Sequence, residues 1–505
     1  MTDPQAPDPT QRSDDAQTFL RRVTRSGLWN VLGFIGASGN AFIIAILVGR
    51  TTGPVGLGRF SYYSWLLRIF STLLIGGLPA ALARFIPESL GSSDTSLAAG
   101  AWRLVSRIGL IISVVSFIAM ATIALLRHDD LLFAVVVGVG AVIGLSLNLM
   151  EAFLQGVRRF KDIARIVTIA GFFQVGAIVI AVWLKAGVNT LFMIFVLTNL
   201  PAALLLFRVI ARSRSDWKTP ALSRAFNSKV MKFAGMLTLV ALIDEVVYGR
   251  PEIFFLDRFN GIAEVGYYNV GLKFASLVVI LPAVVSKSLL PEFSFVHGAE
   301  DTAKFREVFP ILCRLVAYIA AGSAIIGAMF SGLLVTVVYG AAFKPAILPT
   351  AVLLGGSLFG GVAGPVAAAL FAGSKERFFV QAGLLLVVLN IGLDLYLIPR
   401  YGLNGAAAAT IASQTVGIGI GFYLSIKKAG LPYPMKDLIK LVAAALVAGA
   451  AGRALASFMS GMPALVIGGM VALLTYMFLA DRLRVVTLRQ LMDLVRRSPL
   501  STESS

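Results

Sequence analysis

Arg68 stands about nine residues inside an apolar run that opens at residue 60, roughly 13 Å along a helix at the usual rise. A guanidinium at that depth in hydrocarbon is costly, so it faces a wet cavity or a partner, or it reaches toward an interface. Lys273 stands in the comparable part of the run 267–289 and is open to the same readings. The stretch VALIDEVVYGRPEIFFLDRF, residues 240–259, carries more charge than either. On an unbroken helix Glu245, Tyr248 and Glu252 share one face and Arg250 and Asp257 another, while Pro251 removes a backbone donor and predicts a kink. Such a helix lines or gates a cavity, or its charges form a structural network. Asn390 and Asp394, four apart on one face, form a pair able to hold Na⁺ or a proton, and equally able to join helices by hydrogen bonds. The chemistry within reach of this set is ion recognition: fixed cations for an anion, and a carboxylate with an amide for a small cation. One cysteine, Cys313, and two histidines, His128 and His297, suggest no thiolate cluster and no metal site.

The elements that must hold these residues follow from composition. Of 505 residues, 57% are hydrophobic and 14% charged, and the mean hydropathy is +0.85. Too little polar surface remains for water, which predicts an all-α polytopic membrane protein. Apolar runs predict about fourteen transmembrane helices, each long enough for ~30 Å of hydrocarbon. With residues 1–26 as a cytoplasmic tail, most of the 44 Lys and Arg residues fall in the cytoplasmic loops and tails. That bias sets both termini in the cytoplasm. It also assigns the net charge of +18 to topology and anionic lipid, not to nucleic acid. The loops are too short for a soluble catalytic domain, and no phosphate-binding G-x-x-x-x-G-K-[ST] loop is present. No enzyme is expected, and energy must come from a gradient or from the cargo.

Two passages are written twice. Gly53, Gly58 and Phe60 match Gly261, Gly266 and Tyr268 at a constant offset of 208, and LPAALARFIPE (78–88) corresponds to LPAVVSKSLLPE (281–292). FLQGVRRF (153–160) also resembles LFAGSKERF (370–378). The expectation is a duplication: a six-helix bundle over 27–208, a basic linker over 209–230, a second six-helix bundle over 231–425, two further helices over 426–480 and a tail over 481–505. A step of six helices keeps both copies in the same orientation, as in parallel-repeat transporters with a central cavity.

The passages GRTTGPVGLGRFSYYS (49–64), GLPAALARFIPES (77–89), EAFLQGVRRFKDIA (151–164) and DRFNGIAEVGYYNVGLK (257–273) resemble the polysaccharide transporter family. That family belongs to a superfamily that also holds multidrug exporters and lipid II flippases. The resemblance implies a flippase in the bacterial cytoplasmic (inner) membrane. Its cargo would be an undecaprenyl-diphosphate-linked oligosaccharide for O-antigen, capsule or exopolysaccharide, moved to the outer leaflet by alternating access. It implies an anionic polyprenyl-diphosphate glycolipid, membrane lipids, and glycan polymerase and assembly proteins as partners, with no cofactor beyond H⁺ or Na⁺ coupling. The family's cationic lining corresponds here to Arg68, Arg250 and Lys273, with Arg50 and Arg84 near helix ends; Arg84 equally suits a structural anchor. Lipid II, a small-molecule export cargo, and a scaffold of a glycan-assembly complex are the alternatives.

Overall fold

Long apolar runs with few helix breakers fold here into helices, and where a glycine takes a positive φ the chain turns. The computed structural model describes residues 9–92, 94–214, 217, 224–298, 302–372 and 376–486. In order they form α1 (Pro9–Ile75), α2 (Leu78–Gly91), α3 (Thr95–Leu126), α4 (Leu131–Gly156), α5 (Phe160–Trp183), α6 (Val188–Leu197), α7 (Leu200–Ser213) and α8 (Arg224–Tyr248). There follow α9 (Glu252–Phe259), α10 (Ile262–Gly298), α11 (Thr302–Met329), α12 (Ser331–Val338), a 3₁₀ turn (Ala341–Ala346), α13 (Ile347–Ala372), α14 (Glu376–Ala429), α15 (Met435–Ala456) and α16 (Gly461–Arg482). The described residues contain no strand. Ten helical segments among them are long and apolar enough to cross a membrane, so the protein is an all-α, multi-pass membrane protein.

Two of those ten segments each hold a pair of expected spans. In α1, Gly53 has φ 69°. Beyond it, Leu57 comes within van der Waals reach of a methyl placed on Gly49. Eight residues of straight helix would hold the two about 12 Å apart along the axis, so α1 folds back at Gly53. In α14, Gly402 has φ 52°. Gly405 meets Leu397, Asn390 meets Ser413, and Gly417 meets Leu386, the ladder of an antiparallel hairpin. A glycine supplies each left-handed turn without the Cβ penalty. The stretch 53–64 is helical on both sides of Gly53. The glycines beyond Gly53 stay helical and serve close packing.

The described residues divide into two units. Unit 1 is Met1–Ile44 with Leu66–Leu242, and unit 2 is Ala45–Trp65 with Ile243–Ser505. The core of unit 1 joins Leu82, Phe85 and Ile86 of α2 to Val105 of α3, Phe153 of α4, Ile210 of α7 and Val230 of α8. The core of unit 2 gathers Phe309, Ala320 and Ala324 of α11, Val362 and Ala369 of α13, Leu441 and Ala445 of α15, and Tyr476 of α16. The last two helices dock firmly there. Tyr476 stacks on Tyr318 with ring centroids 5.1 Å apart and donates to its carbonyl at 2.8 Å, and Arg314 pairs with Asp437 at 2.6 Å.

Within unit 2 the repeated glycines meet each other. A methyl at Gly58 would overlap the Ile262 carbonyl oxygen, and a methyl at Gly266 would overlap that of Pro54. Both contacts obey the same offset of 208. They form a two-fold-like crossing in which each copy presents a glycine to the other's backbone. The preceding glycines match as well, Gly53 with φ 69° and Gly261 with φ 97°.

Candidate functional site

The charged stretch 240–259 is two helices. α8 stops at Tyr248 and α9 starts at Glu252, so the kink expected at Pro251 falls on Gly249 and Arg250, just before the ring. Arg250 takes φ 67°, a left-handed conformation that is unusual for a side chain with a Cβ. The face-sharing expected of an unbroken helix therefore ends at the break. Buried Glu245 lies against Gly249, while Glu252 begins α9 at 1% exposure. Asp257 is half-buried on α9, and the side chain of Tyr248 lies outside the described residues.

Glu252 anchors a buried polar cluster. Its Oε1 accepts from Thr410 Oγ1 at 2.8 Å, and Thr410 Oγ1 lies 2.8 Å from the Tyr268 hydroxyl. Threonine has one proton, so when it donates to the carboxylate the tyrosine must donate to it. The order is then Tyr268 to Thr410 to Glu252. Asn390 donates to Ser413 Oγ at 3.3 Å across the α14 hairpin. Asp394, one turn beyond Asn390, is fully buried. Its carboxylate interacts electrostatically with that of Glu252, and Tyr268 feels both of them and Arg250.

Acceptors outnumber donors in this cluster. Glu252 Oε2, both oxygens of Asp394 and the side-chain oxygen of Asn390 are buried without a hydrogen-bond partner among the described residues. Buried polar atoms are rarely left so, and two carboxylates in mutual reach are costlier still. A proton or a small cation satisfies such a set, because every open atom is a hard oxygen. Glu264 supports the hairpin from outside the cluster, accepting at 3.2 Å from the Leu403 N–H just past the Gly402 turn.

The other sequence candidates lie elsewhere. Lys273 is half-buried on α10, and Arg68 is exposed on the second limb of α1 in unit 1. Arg50 donates from Nε to the Val338 carbonyl at 2.7 Å and from Nη2 to that of Val337, capping the C-terminus of α12. The Arg84 guanidinium lies 4.5 Å from the Phe233 ring centroid and 3.7 Å from Glu88. Lys229 donates to Glu88 at 2.9 Å, and this bond, with help from the charge of Arg84, holds the Glu88 carboxyl below its usual range. Tyr268, Thr410 and Ser413 escaped the sequence reading. The available signal was that Tyr268 adds a hydroxyl where its repeat partner Phe60 has none, and that Thr410 and Ser413 lie one turn apart in an alanine-rich run.

The described residues form a multi-pass helical membrane fold with a buried polar cluster in unit 2. The chain belongs to the family described as "Polysaccharide biosynthesis protein", which it matches over residues 47–348. It is 22% identical over 404 residues to a "Probable low-salt glycan biosynthesis flippase Agl15" of Haloferax volcanii, covering 78% of this chain and 81% of that protein. It is 31% identical over 175 residues to a "Probable flippase AglR" of the same organism, a match that spans 34% of this chain and 36% of that relative. Among solved structures, a "Lipid II flippase MurJ, inward closed conformation" superposes with a TM-score of 0.72 at 16% identity, covering 93% of this chain and 100% of the other. An inward-facing "multidrug resistance MATE family transporter of the MOP superfamily" gives 0.65 at 14% identity, covering 77% and 94%. The chain thus shares the fold of these two solved structures.

Proposed function

We propose that the protein is a flippase that carries an undecaprenyl-diphosphate-linked oligosaccharide from the cytoplasmic to the outer leaflet of a bacterial inner membrane, for O-antigen, capsule or exopolysaccharide assembly. Both termini are cytoplasmic in this reading, and the two repeats form the bundles that alternate access. The observation that carries it is that unit 2 sets Arg250, at a helix break, within electrostatic reach of Tyr268 in a buried carboxylate cluster short of donors. Arg250 suits an anionic head group and the cluster a coupling cation, H⁺ or Na⁺, held by Asn390, Asp394, Glu252 and Thr410. Lys273 completes the cationic lining of unit 2, with Glu245, Asp257 and the break just before Pro251 gating it, and Arg68 is a separate candidate cation of unit 1. Arg50 and Arg84 support helix ends.

The physical task fits these parts. A diphosphate cannot shed its water into hydrocarbon, whereas fixed cations replace part of that hydration and leave the polyprenyl tail in lipid. Each uncompensated negative charge moved outward gains about 2.3 kcal/mol per 100 mV of inside-negative potential. Lipid II presents the same diphosphate, so it is the first competing cargo. Export of an organic cation is a second reading, favoured by the same donor-poor carboxylates.

Leaflet transfer in proteoliposomes separates these. The expected result is that a fluorescent undecaprenyl-diphosphate oligosaccharide crosses with the wild-type chain and slows at least tenfold with folded Arg68→Ala or Arg250→Gln. Uptake of tetraphenylphosphonium in place of the glycolipid would move the assignment to the exporter. Transfer of neither, with the fold intact, would leave the scaffold reading.

A further inference from the structure

A carbonyl at the end of α8 is held by a residue that no part of the proposed transport path yet uses. Gly249 lies past the last helical residue, where one downstream backbone donor is missing and another is spent on its neighbour. Pro251 has no N–H, and the Ile253 N–H bonds to the Arg250 carbonyl at 3.1 Å. The Gly249 carbonyl instead accepts from the indole Nε1 of Trp65, at 2.7 Å and out of solvent. Trp65 is itself 8% exposed and its ring packs 6.0 Å from that of Tyr62.

The bond acts on one torsion. φ of Arg250 is the rotation between its own Cα and the peptide plane that carries the Gly249 oxygen. Pinning that oxygen to an anchor 184 residues away pins φ, and the value held is 67°. A residue with a Cβ that precedes a proline favours extended backbone, so arginine would leave this conformation if the oxygen were released. Released, the peptide would rotate and the guanidinium would swing away.

We infer that Trp65 is a positioning residue for Arg250: its indole N–H locks the Gly249–Arg250 peptide and thereby aims the guanidinium. The transport consequence rests on the reading of Arg250 as a head-group contact. The lock itself does not, and the two are separable by experiment.

The test uses the full chain in detergent, with farnesyl diphosphate as a soluble diphosphate probe, and the variants Trp65→Phe, Arg250→Gln and their combination. Trp65→Phe keeps the ring and loses the donor. Each single variant is expected to weaken binding about tenfold, the size of one lost buried hydrogen bond or charge contact, and the double variant to bind no worse than Arg250→Gln. Hydrogen exchange over 249–256 should quicken in Trp65→Phe and stay unchanged in Arg250→Gln. Multiplying losses in the double variant, or wild-type binding by Trp65→Phe beside a weakened Arg250→Gln, would overturn the positioning role. If Arg250→Gln binds as wild type, the head-group reading of Arg250 fails. The lock then stands or falls on exchange alone, quickened in support and unchanged against. Should Trp65→Phe lose thermal stability, Trp65→His, which keeps a ring N–H, must restore the slow exchange, and failure to do so also overturns the lock.

Discussion

Each unit breaks a helix beside a proline, and the two breaks differ in what lies behind them. In unit 1 the helix of Val188–Ser213 is interrupted between α6 and α7, with Pro201 in the first turn of α7. The Phe195 carbonyl there accepts from Gln174 Nε2 at 2.8 Å and from Asn199 Nδ2 at 2.8 Å, and Thr198 bonds back to Ile194 at 2.7 Å. These staples are neutral, and the opened carbonyls have donors. In unit 2 the break between α8 and α9 carries Arg250 and Glu252, and the polar atoms gathered behind it lack donors. Both breaks have a carbonyl stapled by a neutral donor, the unit 2 one by the Trp65 indole, but only the unit 2 break has donor-poor carboxylates behind it. A satisfied neutral break rigidifies, whereas a donor-poor charged one has a free-energy reason to take up and release a cation.

That contrast can be broken by four substitutions, taken from the largest effect to the smallest. Asp394→Asn removes the open carboxylate. Gradient-driven glycolipid transfer should fall by about a hundredfold or more, while the thermal midpoint does not drop, because a buried unpartnered charge contributes no stability. Gly58→Ala attacks the crossing that positions unit 2. Its methyl meets backbone, which cannot rotate away, so loss of more than about 3 kcal/mol and poor recovery of folded protein are expected in a detergent melting series. Gln174→Leu strips the donor from the unit 1 break. Stability should fall by about 1–3 kcal/mol, with the cation dependence of transport unchanged. A changed cation dependence there would erase the distinction between the units.

The smallest effect lies outside the membrane core, at Glu88. Its folded pKa is lowered by the Lys229 hydrogen bond, so its contribution is present above the unfolded value of 4.5 and disappears as pH falls through the folded value. Wild type should melt slightly above Glu88→Gln at pH 7 and together with it at strongly acidic pH. The pair is exposed, and the gap at neutral pH should be small.

What the sequence made legible was local. The i, i+4 pair Asn390–Asp394, the kink at Pro251 and the repeated glycines all follow from spacing along one chain segment. Their partners were not legible, because Thr410 reaches Glu252 over 158 residues and Trp65 reaches Gly249 over 184. The turn at Gly402 is what brings Ser413 opposite Asn390, and no periodicity within one helix encodes that. The glycines of 53–64 were legible as a repeat but not as a contact. In water such a run favours a loop, but in an apolar segment a missing side chain lets two backbones touch, as Gly58 and Gly266 do. Arg50 and Arg84 were lining candidates through the family resemblance, with Arg84 equally an anchor; a carbonyl cap engages the first and an aromatic ring the second.

The central claim is that the donor-poor carboxylates of unit 2 bind the cation that drives glycolipid movement. The direct measurement is leaflet transfer of a fluorescent undecaprenyl-diphosphate oligosaccharide in proteoliposomes under an imposed Na⁺ or H⁺ gradient, with wild type beside folded Asp394→Asn. The account predicts transfer that one of the two gradients accelerates in wild type and neither accelerates in the variant. Equal transfer by both proteins, indifferent to either gradient, would contradict it.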